Sequence, residues 1–198
     1  VNGTYSDVNV KIKGDLAKLP FKDPKDGEFR FSGRIKDVLL DMVPPALLPP
    51  GGAPWPRLIG LQGRLQFDRA GMRLSEASAR AGEGAQAVLL TAPLVEIADM
   101  TQQALLQVRA ESTSSAPQVL RLIQQSALNT LLSDALAEAQ VRGDMQTRFD
   151  LRLPLLNLKE TQVQGNLIFK GVDLRMQAET PWLENMQGQL QFQETGFD

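Results

Sequence analysis

Leu61-Gln62-Gly63-Arg64-Leu65-Gln66-Phe67 returns twice in this chain, as Val163-Gln164-Gly165-Asn166-Leu167-Ile168-Phe169 and as Met186-Gln187-Gly188-Gln189-Leu190-Gln191-Phe192. The shared pattern is apolar-Gln-Gly-x-Leu-x-Phe. The first and third copies agree further: each carries a glycine and an apolar residue beginning four positions beyond the Phe (Gly71-Met72, Gly196-Phe197), and each follows a Pro-Trp pair (Pro54-Trp55, Pro181-Trp182). Alternate side chains of a strand share a face, so Leu61, Gly63, Leu65 and Phe67 point one way while Gln62, Arg64, Gln66 and Asp68 point the other. Gln187, Gln189, Gln191 and Gln193 make the polar face of the third copy almost uniform, and only Ile168 breaks the rule in the second. This is the pattern of antiparallel strands packed on one side and wet on the other.

Working outward from the repeat, further segments read as strands: Asp7 to Gly14, Glu28 to Ile35, Val38 to Val43, Met72 to Arg80, Ala85 to Thr91, Ala104 to Glu111, Gln140 to Leu153 and Val172 to Glu179. Turn residues separate many of them, as in Lys22-Asp23-Pro24-Lys25-Asp26-Gly27 and Arg69-Ala70-Gly71. Gly82-Glu83-Gly84-Ala85-Gln86-Ala87 fits a loose dinucleotide-binding pattern, but Val88-Leu89-Leu90-Thr91 and then Pro93 follow where a long helix is required, so it reads as a hairpin turn. Pro44, Pro45, Pro49, Pro50, Pro54 and Pro56 crowd into thirteen residues with Gly51 and Gly52. Regular helix and central strand are both forbidden there, which leaves a stiff connection.

One helical region interrupts the strands. From about Pro117 to Ala139, apolar residues fall three or four apart at Leu120, Ile123, Ala127, Leu131, Ala135 and Ala139. Ser114 or Ser115 supplies a cap, Pro117 suits the first turn, Gly143 lies beyond the end, and Ser126 and Asn129 are points where the helix divides. The fold predicted is mainly β with some α: an antiparallel, strongly curved meander sheet with one apolar face and one or two helices packed on it around residues 117–140. Its sub-units are a meander over 1–112, a helical insert over 113–143 and a β-repeat over 144–198.

Composition narrows the function. The chain is 42% hydrophobic and 22% charged, with 21 basic and 23 acidic residues mixed along it and a formal charge of −2, so no concentrated field exists to hold nucleic acid. Cysteine and histidine are both absent. That removes disulfides, thiolate metal sites and Ser-His-Asp or Cys-His chemistry, and neither a G-x-S-x-G elbow nor an S-x-x-K dyad occurs. Asp23 and Asp26 flank Pro24 in a solvated turn rather than forming an acid–base pair. The expectation is a non-enzymatic protein with no metal or cofactor. No stretch approaches the ~20 apolar residues of a membrane span.

What remains is the apolar face itself. The candidate residues lining it are Leu65, Phe67, Leu167, Phe169, Leu190 and Phe192, and covering all six is worth about 9 to 18 kcal/mol gross. Either the sheet closes over its own helix, or a ligand supplies the missing layer, since hydrocarbon chains gain the same transfer energy as a buried leucine. Trp55 and Trp182 read either as interfacial anchors, where indole sits between lipid and water, or as packing on the sheet ends. The helix carries Arg121 as its basic residue against Asp134 and Glu138, which favours packing on the sheet over an anionic membrane.

These residues together resemble the YhdP family of AsmA-like proteins, relatives of TamB in the Gram-negative envelope. The resemblance rests on Asn2-Gly3-Thr4-Tyr5-Ser6-Asp7-Val8 leading into Gly14-Asp15-Leu16, and on Pro54-Trp55-Pro56 followed by Gly63 to Met72. It rests also on Leu153-Pro154-Leu155 running to Gly165 and Phe169, and on Trp182, Gly188, Leu190, Phe192 and Gly196-Phe197. The resemblance implies an internal periplasmic fragment, an inner-membrane anchor outside it, neighbouring β-repeats of the same chain, and a groove passing phospholipid acyl chains between inner and outer membranes. The alternative is a structural or scaffold module with a closed, helix-filled core.

Overall fold

A computed structural model of the chain describes residues 3–43, 46, 48, 50–102, 104–132, 134–193 and 196–197. Asn2, Pro44, Pro45 and Pro49, which figured in the sequence reading, lie outside the described residues. The strands are β1 (Thr4–Gly14), β2 (Gly27–Asp41), β3 (Arg57–Asp68), β4 (Gly71–Ala81), β5 (Val88–Ile97) and β6 (Leu105–Ser115), followed by helices α1 (Ala116–Gln124) and α2 (Ala127–Leu131). The chain then returns as β7 (Gln140–Arg142), β8 (Asp144–Pro154), β9 (Gln162–Arg175), β10 (Leu183–Gln193) and β11 (Gly196–Phe197). All eleven strands join one antiparallel sheet in the order β1-β2-β3-β4-β5-β6-β8-β9-β10-β11, with β7 pairing β9 beside β8. The meander is therefore continuous across the helical excursion, because β6 and β8 are direct neighbours.

The repeats fold alike. In the first, Phe67 pairs with Met72 and Asp68 with Gly71; in the third, Phe192 pairs with Phe197 and Gln193 with Gly196. The shared glycine four residues past the Phe thus opens the return strand of the same tight hairpin.

Bulges bend the strands. Positive φ at Asp7 (52°), Asp37 (55°), Gly60 (63°), Glu76 (50°), Ala92 (48°), Gly171 (79°) and Asn185 (52°) places one such residue in each of β1 to β5, in β9 and in β10. An extra residue at each point bends its strand and raises the local twist. These bulges also explain three departures from the sequence reading. Glu28 to Ile35 and Val38 to Asp41 belong to one strand, β2, whose pairing with β3 slips between Ile35 and Val38, and the predicted Met42 and Val43 lie beyond its end. The second repeat and the segment from Val172 likewise form a single strand, β9. Pro93 does not end β5, because the ladder to β6 skips from Thr91 to Leu94, and a proline at a bulge removes no needed donor.

The helix is shorter than the periodicity predicts. Ser126 stops α1 and caps α2, its side chain accepting from Leu128 N. Residues beyond Leu131 turn back instead of continuing, with Asp134 at φ 56°. The Gln124 amide donates to the carbonyls of Leu136 (2.8 Å), Ala137 (3.2 Å) and Ala139 (3.1 Å) and so holds this turn in place. At its base the excursion is closed: Ala116 N donates to the Gly143 carbonyl at 2.8 Å, and Gln118 Oε1 accepts from both Ser115 N and Oγ. Gly143 (φ 98°) separates β7 from β8, where one strand was predicted; an added Cβ there would sit 2.9 Å from the Gly171 carbonyl.

Candidate functional site

Register places the apolar residues of every strand on one face. Facing residues share a side, so Tyr5, Val10 and Ile12 of β1 lie with Ile35, Phe31 and Phe29 of β2, and these with Gly63 and Phe67 of β3. The same face continues through Leu74, Val95, Val108, Leu151 and Val163, all buried. The opposite face is polar and its charges are paired at the surface: Arg148 with Glu111 (2.6 Å), Arg109 with Asp150 (3.2 Å), and Arg34 and Arg64 with Glu76 (3.7 and 3.4 Å). Lys11, 2.8 Å from Glu28, holds that carboxyl below its ordinary range through their hydrogen bond. At the β5–β6 turn the Thr101 hydroxyl and the neighbouring backbone amides do the same for Asp99.

Helices roof the middle of the apolar face, and Phe21 of the β1–β2 connection is buried against Gly14 and Gly27 at the end of β1. α1 packs against β5, β6 and β7, and α2 is tied to the connection ahead of β3 by a bond from Ala127 N to the Pro54 carbonyl at 2.9 Å. Between roof and sheet lies an apolar cavity of about 110 Å³, whose wall includes Trp55, Val108, Leu122, Leu132, Phe149 and Leu167. Among the described residues the face is uncovered along most of β1. Tyr5, Val8, Val10 and Ile12 are 52%, 52%, 53% and 47% exposed, against 2% for Leu151 and 0% for Leu153.

The predicted lining residues divide accordingly. Leu167 lies in the cavity wall, while Leu65 and Phe169 are half-buried against the core. Phe67 is half-buried with its ring edge-on to Phe31, centroids 5.8 Å apart. Leu190 faces Leu167 across the β9–β10 ladder and is half-buried. Phe192 is paired with Gly165, and its side chain lies outside the described residues. The two Pro-Trp copies part company. Trp55 packs on the core and lines the cavity, whereas Trp182 is clamped between guanidinium groups, Arg142 at 4.3 Å and Arg175 at 4.9 Å from its ring centre. Arg175 lies one residue past inward-facing Leu174, so that clamp is on the polar face.

Most of the cavity wall, including its two hydroxyl-bearing residues, was not among the candidates the sequence offered. Ser112 and Thr147 occupy inward positions between apolar ones, in the series Leu106, Val108, Ala110, Ser112 and Met145, Thr147, Phe149, Leu151. A hydroxyl interrupting an apolar alternation was the available signal. No helix among the described residues is long and apolar enough to cross a membrane.

The fold and site define a class: a single bent antiparallel meander whose apolar face is packed under helices in its middle and exposed along β1. The YhdP protein family matches the chain over residues 1–198, and the chain belongs to that family. Membership supports an AsmA-like protein of the Gram-negative envelope. No curated protein and no solved structure matches the chain.

Proposed function

We propose that this chain is one segment of a periplasmic phospholipid conduit, anchored to the inner membrane elsewhere in the full-length protein, whose apolar trough passes acyl chains between inner and outer membranes. The observation that carries this reading is the continuation of the apolar face beyond its roof onto β1. Four apolar side chains there, Tyr5, Val8, Val10 and Ile12, are about half exposed along one edge strand although Lys11, Lys13 and a bulge at Asp7 guard its backbone. Contiguous exposed apolar surface of this kind marks a place where something else binds. Neighbouring repeats of the same chain extend the sheet from its edges, and acyl chains form the second layer over the uncovered face.

A photocrosslinking residue at Val10, Phe67 or Leu190 of the full-length protein tests this in cells. Phospholipid adducts are expected at all three. Adducts to protein alone favour the second reading, a structural spacer, which draws its support from the roof over Leu167 and its neighbours.

A further inference from the structure

One row of the sheet crosses the cavity floor. Leu90 faces Ser112, Ser112 faces Thr147, Thr147 faces Leu167 and Leu167 faces Leu190. The row is apolar at both ends and carries two hydroxyls under the roof. Ser112 Oγ is satisfied by Ser114 Oγ at 3.0 Å. Thr147 is not: it is nine-tenths buried, and its Oγ1 has no hydrogen-bond partner. Among the described residues the other buried side-chain atoms without partners belong to Arg69, Asn129 and Asn166, none of which lines the cavity. An orphaned buried hydroxyl is costly, and a threonine at this position gains nothing over an isosteric valine unless something bonds to it.

We propose that the cavity beneath α1 and α2 is a binding site for the end of a single hydrocarbon chain bearing an oxygen acceptor, such as the carboxyl group of a fatty acid. Thr147 Oγ1 donates to that oxygen, and the tail runs over Leu167 toward Leu190, where the roof ends. The volume of about 110 Å³ is of the order of the roughly 150 Å³ apolar cavity that takes up benzene, so it holds one end of one chain and not a whole diacyl lipid. This site deepens the conduit reading and rests on it only for the source of the chain.

The chain's two tryptophans provide the test. With Trp182→Phe, Trp55 in the cavity wall is the sole emitter; with Trp55→Phe, only the remote Trp182 on the polar face remains. Emission is titrated with a fatty acid brominated at mid-chain and, separately, with phosphatidylethanolamine vesicles brominated in their acyl chains, because bromine quenches indole at short range. Saturable quenching of Trp55 and none of Trp182 is expected. Quenching by the fatty acid and not by vesicles assigns a free single chain; quenching by vesicles without any by the fatty acid overturns a site for one chain end.

Thr147→Val should weaken the fatty acid about fivefold, the worth of one neutral hydrogen bond, while leaving a brominated alkane unaffected and the melting temperature unchanged or higher. Ala81→Leu, which fills the wall, should abolish quenching in a folded protein. Unquenched Trp55, equal quenching of both tryptophans, or undiminished affinity in Thr147→Val overturns the site. Phospholipid adducts at Val10 would stand in that event, so the two readings fail separately.

Discussion

β1 and β8 are both eleven-residue strands with alternating faces, yet they meet different fates. β8 lies between β6 and β9, with the roof over part of its face, and its inward residues Met145, Leu151 and Leu153 are nearly sealed from water. Among the described residues β1 has a neighbour on one side only, and Val8, Val10 and Ile12 stay half exposed on the same face. The same binary pattern thus produces a core strand and an exposed edge. What differs is the second layer, which α1, α2 and the segment ahead of β3 supply for the middle of the sheet and not for β1.

The largest expected effect comes from truncating equivalent positions in the two strands. Leu153→Ala should cost about 2 to 5 kcal/mol, because a fully buried leucine leaves a cavity the sheet cannot collapse into. Val10→Ala should cost less than about 1 kcal/mol, since its side chain is already half in water. Urea denaturation of the two variants measures both. A Val10 loss as large as that of Leu153 would mean β1 is covered in solution and would break the comparison.

The glycines of the repeats sharpen it. Gly63 sits at φ 157° with an added Cβ only 2.7 Å from Ala77 Cβ and 2.9 Å from the Ser75 carbonyl, whereas Gly188 at φ 141° has nothing within 4 Å. Both alanine variants carry backbone strain, but Gly63→Ala adds a collision worth about 1 to 3 kcal/mol. The difference in denaturation midpoint between the two variants reports how much more crowded the covered copy is than the open one.

The smallest effect is on the edge strand and depends on pH. Glu28 of β2 bonds Lys11 of β1, which lowers its folded pKa below the unfolded value. Stability from that bond is present above the unfolded pKa and lost as pH falls through the folded one. Amide exchange in β1 should therefore quicken under acid before exchange in β8 does, and Glu28→Gln should remove that selective response.

Much of this architecture could be read directly from residues. Period-two alternation in three heptapeptides assigned the faces of β3, β9 and β10, and Arg69-Ala70-Gly71 marked the turn between β3 and β4. Ser115, Pro117 and Gly143 marked the limits of the helical excursion. The length of the helix was not legible, because the apolar spacing continues past Leu131 while Ser126 and the Gln124 side chain compete for the backbone groups a longer helix needs. Nor was the parting of Trp55 and Trp182. Both follow proline ahead of a strand, but their surroundings come from residues remote in the chain, Leu122 and Leu132 for one, Arg142 and Arg175 for the other.

By itself the sequence determined a one-sided antiparallel sheet and membership of the YhdP family, because side-chain alternation follows from the backbone of each strand and needs no partner. Only the tertiary structure decided where that face is covered. The roof is built from residues 116–139 and the segment ahead of β3, which meet strands far from them in sequence. Long-range packing of this kind leaves no periodic mark, so the repeated Leu and Phe look alike in the sequence although Leu167 lies under a helix and Leu190 beyond it.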